Sequence, residues 1–145
     1  MTTDSDTMRP TGDDVDTYLR SAKRSTELLQ LDELITGSIP DASRTLWRGV
    51  MWGGTQQTIV GYGVITQPRP RGRSVDWFLL GLAEQTRYIS VYVNAVEDNQ
   101  YLVSAYENRL GRVKVGTASI AITDLKTIDL DVMRELVAHA AQVTR

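Results

Sequence analysis

The sequence predicts an α+β domain built on an antiparallel sheet of about five strands, with helices before and after it. Three observations carry that prediction. Apolar residues recur at helical spacing up to Gly37 and again from Leu130. Between those stretches they fall in short β-branched and aromatic runs punctuated by glycine and proline. The runs also follow one another in meander order, which suits antiparallel pairing.

The opening MTTDSDTMRPTGDD is acidic and small-polar where an export signal would carry a basic start and an apolar run. Residues 1–12 therefore read as a flexible tail, and residues 13–145 as one domain. Val15, Tyr18, Leu19 and Ala22 share one helical face, and Asp13 or Asp14 is placed to cap its start. Leu28, Leu31, Leu34 and Ile35 form a second face out of phase with the first, so a break is expected at Lys23 to Ser25 and an end at Gly37. Strands are expected at Leu46 to Trp52, Thr58 to Thr66, Ser74 to Glu84 and Tyr88 to Asn94.

In YISVYVN, Ile89, Val91 and Val93 point to one side and Tyr88, Ser90, Tyr92 and Asn94 to the other. One face is thus core and the other polar-aromatic. Tyr101 to Leu110 reads as a helix stopped by Gly111, and Lys114 to Thr123 as a last strand with imperfect alternation. The closing helix starts at Asp129 or Asp131 and buries Leu130, Met133, Leu136, Val137, Ala140 and Ala141.

Composition excludes several function classes. With 16 basic and 18 acidic residues the charge balance favours neither nucleic acid nor an anionic membrane surface. The longest apolar run, Trp77 to Ala83, is far too short to span a bilayer, and a soluble cytoplasmic protein is the expectation. The chain has no cysteine, which removes disulfides, thiolate zinc sites and cysteine nucleophiles. His139 is the sole histidine and reads as a surface or half-buried helical residue, so triads and histidine metal clusters are not expected.

The stretch GRVKVGTASI, Gly111 to Ile120, superficially suggests a phosphate-binding loop. Such a loop needs a lysine and a hydroxyl after its second glycine, in a strand-loop-helix setting. Here Thr117 and Ala118 stand in those places, with a helix before and a strand after. A helix C-cap at Gly111 and a bend at Gly116 account for both glycines. RPRGR sets Arg69, Arg71 and Arg73 between prolines and a glycine, which suits either a phosphate-contacting loop or a solvated hairpin connection. Trp52, Tyr62 and Tyr92, with Lys114 nearby, are the candidates for lining a small pocket on the wet side of the sheet, whereas Trp47 and Trp77 are assigned to the core.

The segments GRSVDWFLLGLA, YISVYV, YLVSAYENRLGRVKVGTASIAI and DLDVMRELVAHA, in that order, resemble the YdhG-like family of small bacterial domains. The resemblance runs from about Asp14 to the C-terminus. VMWGG, Val50 to Gly54, looks like that family's tryptophan-glycine turn, although members commonly carry a proline soon after it and this chain has Thr55 and Gln56. In the family the glycine stretch more nearly mimics a nucleotide loop, with a cysteine near the position of Ala118; both features are missing here.

The resemblance implies helices on one face of the sheet, a frataxin-like shape and, for some members, iron chaperoning. In a frataxin-type reading Asp13, Asp14 and Asp16 would offer hard carboxylate ligands to a loosely held iron ion. Their ordinary use as helix-start residues, with Arg20, Lys23 and Arg24 following, argues the other way.

Two function classes follow. The first is a non-enzymatic binding domain for iron or for a protein docking on the exposed sheet face. The second is a small-molecule binding protein or weak enzyme with a pocket near the sheet aromatics. A metal ion, an unidentified protein or a second copy of the chain are the partners left open, and no cofactor is fixed.

Overall fold

The computed structural model describes residues 7–50, 56–68 and 74–144. Its order is β1 (Arg9–Pro10), α1 (Val15–Ser21), α2 (Ser25–Ser38), β2 (Arg44–Val50), β3 (Gln56–Pro68), β4 (Ser74–Glu84), β5 (Ile89–Val93), β6 (Val96–Glu97), β7 (Gln100–Tyr101), α3 (Leu102–Tyr106), β8 (Lys114–Val115), β9 (Ser119–Ile122) and α4 (Leu130–Val143). The main sheet runs β1-β2-β3-β4-β5-β9-β8, and every one of these strand pairs is antiparallel. It has seven strands where about five were expected. The additions are two-residue edges, β1 and β8, too short to show a period of their own. β1 also places part of the expected N-terminal tail in the sheet: Arg9 pairs with Arg48, Pro10 with Trp47, and Met8 is buried.

The helices begin where their caps dictate. Asp14 accepts hydrogen bonds from the Thr17 amide at 2.9 Å and the Thr17 hydroxyl at 2.6 Å. Those hydrogen bonds hold its carboxyl below the ordinary aspartate range. Asp129 accepts from the amides of Asp131 and Val132 at the start of α4. α2 lacks a cap of its own residue; instead the Glu84 carboxylate, at the end of β4, accepts from the Lys23 and Arg24 amides. That contact ties the bend between α1 and α2 to the sheet.

The apolar stripes of α1, α2 and α4 converge with Leu46, Val60, Leu80, Leu82, Val91 and Ile120 in one core. The helices therefore cover one face. From that core to the surface a polar network joins four elements, α1, α2, β2 and β3: Tyr62 donates to Asp32 at 2.7 Å, and Arg44 bridges Asp32 and Asp16, each at 2.8 Å. Buried polar groups of this kind are tolerable because each has a partner.

The opposite face carries a second, smaller cluster of Met8, Trp47, Ile59, Phe78 and Ala83, with Trp77 and Tyr92 against it. Trp47 and Phe78 lie over Gly61 and Gly81, which pair across β3 and β4. A Cβ on Gly61 would sit 2.6 Å from Trp47 Nε1, and one on Gly81 2.8 Å from Phe78 Cε2. The glycines are the floor on which these rings rest. Trp47 is thus buried as expected, but in a core the helices do not touch.

The β3–β4 hairpin changes side along its length. Gly63 has φ of 73°, and Tyr62 and Ile65 on either side of it both pack against the helical core. Leu79 and Leu80 also both face that core, while Phe78 belongs to the opposite cluster. Simple alternation fails here because a residue at positive φ re-aims the strand.

Among the described residues no helix is long and apolar enough to cross a membrane.

Candidate functional site

GRVKVGTASI folds as a β-hairpin. The Gly116 amide donates to the Ser119 carbonyl at 2.8 Å to close the turn, and Lys114 pairs with Ala121 across it. Gly111 has φ of 98° and packs its backbone against Ile128, where a Cβ would lie 2.5 Å from the Thr127 carbonyl oxygen. The expected helix before it is shorter than predicted, ending at Tyr106, and a turn from Tyr106 to Leu110 completes the approach. Both glycines thus have structural reasons: a left-handed backbone at one and a tight turn at the other.

This hairpin extends the sheet beyond β5 and forms one side of a groove on the face the helices leave open. Register fixes what lines it. Ser90 pairs with Ala121, and Ala121 with Lys114, so these three point the same way in adjacent strands. Tyr92 pairs with Ser119 in the next row. Small side chains, Ser90, Ala121 and Ser119, make the floor. Tyr88 and Tyr92 stand on the β5 side and Arg112 and Lys114 on the β8 side, around a cavity of about 640 Å³.

The lining is rich in hydroxyls and positive charge. Among the described residues, none of those lining the groove is a carboxylate or a histidine. Neither Arg112 nor Lys114 has an ion-pair partner among the described residues, whereas Arg44, Arg48, Arg109 and Arg134 are all paired. Burial raises the Tyr92 phenol above its ordinary pKa, opposed by a hydrogen bond with Ser90, so this hydroxyl stays neutral in the physiological range. Tyr92 also ends a chain of rings: its centroid lies 6.1 Å from Phe78, which stacks on Trp77 at 4.9 Å.

Of the four residues expected to line a pocket, Tyr92 and Lys114 do so together. Tyr62 does not. It is buried on the helical side, where its hydroxyl is taken by Asp32, and burial, followed by the Asp32 charge, raises its phenol well above the ordinary value. Alternation separates the two faces of β3 but does not say which one the helices cover. Trp52 lies outside the described residues, as do Arg69, Arg71 and Arg73.

The three aspartates proposed for iron are close in sequence but committed to separate tasks. Asp13 pairs with Arg48 at 2.8 Å, Asp14 caps α1, and Asp16 faces Arg44 and Arg20. Among the described residues no group of three or more histidine, aspartate or glutamate side chains is arranged to hold a metal ion.

A cluster at the other end of the molecule was not foreseen. His139 on α4 contacts the Tyr106 hydroxyl through Nδ1 at 2.9 Å and Glu97 through Nε2 at 3.0 Å. Arg109 lies 5.2 Å above the Tyr106 ring and forms a two-pronged pair with Glu135. The members come from the β6–β7 hairpin, the α3 region and α4, so no local pattern could have announced it. Asp98 and Asn99 at the hairpin tip both take left-handed backbone, which these residue types accept in a tight turn. The arrangement fastens that hairpin to α4.

No family model, curated protein or solved structure matches this chain.

Proposed function

We propose that this chain is a non-enzymatic binding domain whose ligand is a small molecule held in the groove between β5 and the β8–β9 hairpin. The observation that carries the reading is the convergence of Tyr88, Tyr92, Arg112 and Lys114 around a floor of small side chains. Binding pockets commonly combine aromatic walls with a few placed polar groups. The lining side chains offer hydrogen bonds and positive charge to a bound ligand.

The rest of the open face favours this location over a broad docking surface. Trp47 and Phe78 are buried against their glycines and Met8 rather than left for a partner. What supports the YdhG-like, frataxin-like reading of the architecture is the succession of two helices, a meander sheet and a closing helix, with the helices on one side.

A nuclear magnetic resonance screen with a chemically diverse set of small fragments tests the proposal. Shifts should concentrate at the amides of Ser90, Lys114, Ser119 and Ala121 and disappear in Ala121→Trp, which fills the floor from a half-exposed position. Binding that clusters elsewhere, or survives Ala121→Trp in a protein with unchanged circular dichroism, would refute it.

A further inference from the structure

Resting on the groove as the binding site, we infer that its ligand is a small phosphate monoester borne on a planar organic group. Arg112 and Lys114 stand on the same wall, separated only by Val113, without a carboxylate partner among the described residues. Two neighbouring cations facing a hydroxyl-lined cavity are complementary to an anion and repel a ligand cation.

Charge matching selects the kind of anion. A phosphate monoester carries about −1.5 to −2 at neutral pH, against the single charge of a carboxylate. Arginine can present two parallel N–H donors to phosphate oxygens, while lysine adds a compact charge. The hydroxyls of Ser119 and Thr123, also in the lining, supply further donors. The cavity, about 640 Å³, is far larger than a bare phosphate requires.

The remaining room has its own chemistry. Tyr88, just before β5, and Tyr92, within it, are four residues apart and flank Ser90 along one edge of the groove, and Tyr88 keeps 39% of its surface exposed. Between them and the cationic wall lie Ser90 and Ala121, whose small side chains leave space for a flat group to lie on the sheet. A planar ring would gain contact with the tyrosine faces that an aliphatic chain would not. The anionic end then points to β8 and the ring to β5.

Titration of the full chain with phenyl phosphate, inorganic phosphate and benzyl alcohol, followed by amide shifts, separates the parts of this inference. Phenyl phosphate should bind the groove saturably and more tightly than either comparison compound. Joint replacement Arg112→Gln and Lys114→Gln should weaken it by about tenfold or more, because charge-assisted hydrogen bonds are lost. Joint Arg112→Lys and Lys114→Arg should keep most of the affinity, and added salt should reduce it. Benzyl alcohol binding the groove as tightly as phenyl phosphate would overturn the anionic assignment while leaving the groove as the site. Inorganic phosphate binding equally tightly would overturn the planar group. No shift from any of the three would overturn the inference, and the diverse fragment screen would then decide the groove separately.

Discussion

Replacing Gly61 by alanine tests whether the rings on the open face depend on bare backbone beneath them. In a strand where the new methyl had room, the exchange would stabilise the protein by about 0.4–1 kcal/mol through the unfolded chain. Here the added Cβ meets Trp47 Nε1 at 2.6 Å, Trp47 Cδ1 at 2.7 Å and Phe78 Cβ at 2.9 Å. All three contacts are shorter than carbon and nitrogen tolerate, and both rings are buried, so they must move together. Overpacking of this kind costs about 1–3 kcal/mol, which leaves a net destabilisation of about 1–2 kcal/mol after the entropic gain. For a domain near this size that corresponds to a fall in Tm of about 2–8 °C. Thermal and guanidinium unfolding followed by far-ultraviolet circular dichroism would measure it without relying on the displaced indole. Trp47→Phe removes the pyrrole edge, so Gly61→Ala should cost less in that background. A Gly61→Ala protein as stable as the parent, or more so, would refute the reasoning.

The buried phenol of Tyr62 makes a second prediction: Tyr62→Phe should destabilise the fold by about 1–3 kcal/mol, because Asp32 loses a donor in the core. Since folding raises the Tyr62 pKa, its contribution is fully present below the ordinary tyrosine range and is lost as pH climbs through the folded value, so Tyr62→Phe should shift the alkaline unfolding midpoint upward relative to its own neutral stability. Tyrosine absorbance at high pH, recorded beside circular dichroism, checks this; an alkaline transition identical in both proteins contradicts it. His139→Ala should speed amide exchange in residues 96–101 much more than in β2–β5, because it removes the tie to Tyr106 and Glu97. Uniform protection across the chain would show that the tie is idle. Joint Asp13→Asn, Asp14→Asn and Asp16→Asn should leave calorimetric ferrous-iron titrations unchanged, because the three carboxylates serve Arg48, the α1 cap and Arg44. Saturable iron binding that this triple replacement abolishes would restore a metal site there.

What could be read from the chain was whatever depends on near neighbours. Asp14 and Asp129 cap their helices, the stripe Leu28, Leu31, Leu34 and Ile35 is buried, and YISVYVN divides its residues between two faces as alternation requires. Gly37 was expected to end α2, yet the helix passes through it to Ser38, since one glycine weakens a helix without stopping it. Tyr62 and Tyr92 look alike as strand tyrosines, and only the placement of α2 makes one a core donor and the other a groove wall. Gly61 and Gly81 fall inside the expected strands without any role assigned to them, and only cross-strand pairing brings Trp47 and Phe78 over them. In the groove, Tyr92 and Lys114 were visible as candidates, but Arg112 and the small-residue floor depend on the β9–β8 register. The Tyr106–His139–Glu97 contact joins three distant segments and had no local signature at all.

Native mass spectrometry of the full chain purified from its own host reports a retained ligand, metal or second copy in one spectrum, and so tests the groove most directly. The account predicts a small-organic mass increment on the parent protein, with phosphate among its fragmentation losses, and no such increment on the folded Ala121→Trp protein purified in parallel. An increment that persists undiminished in Ala121→Trp, or one that is metal alone, would contradict it.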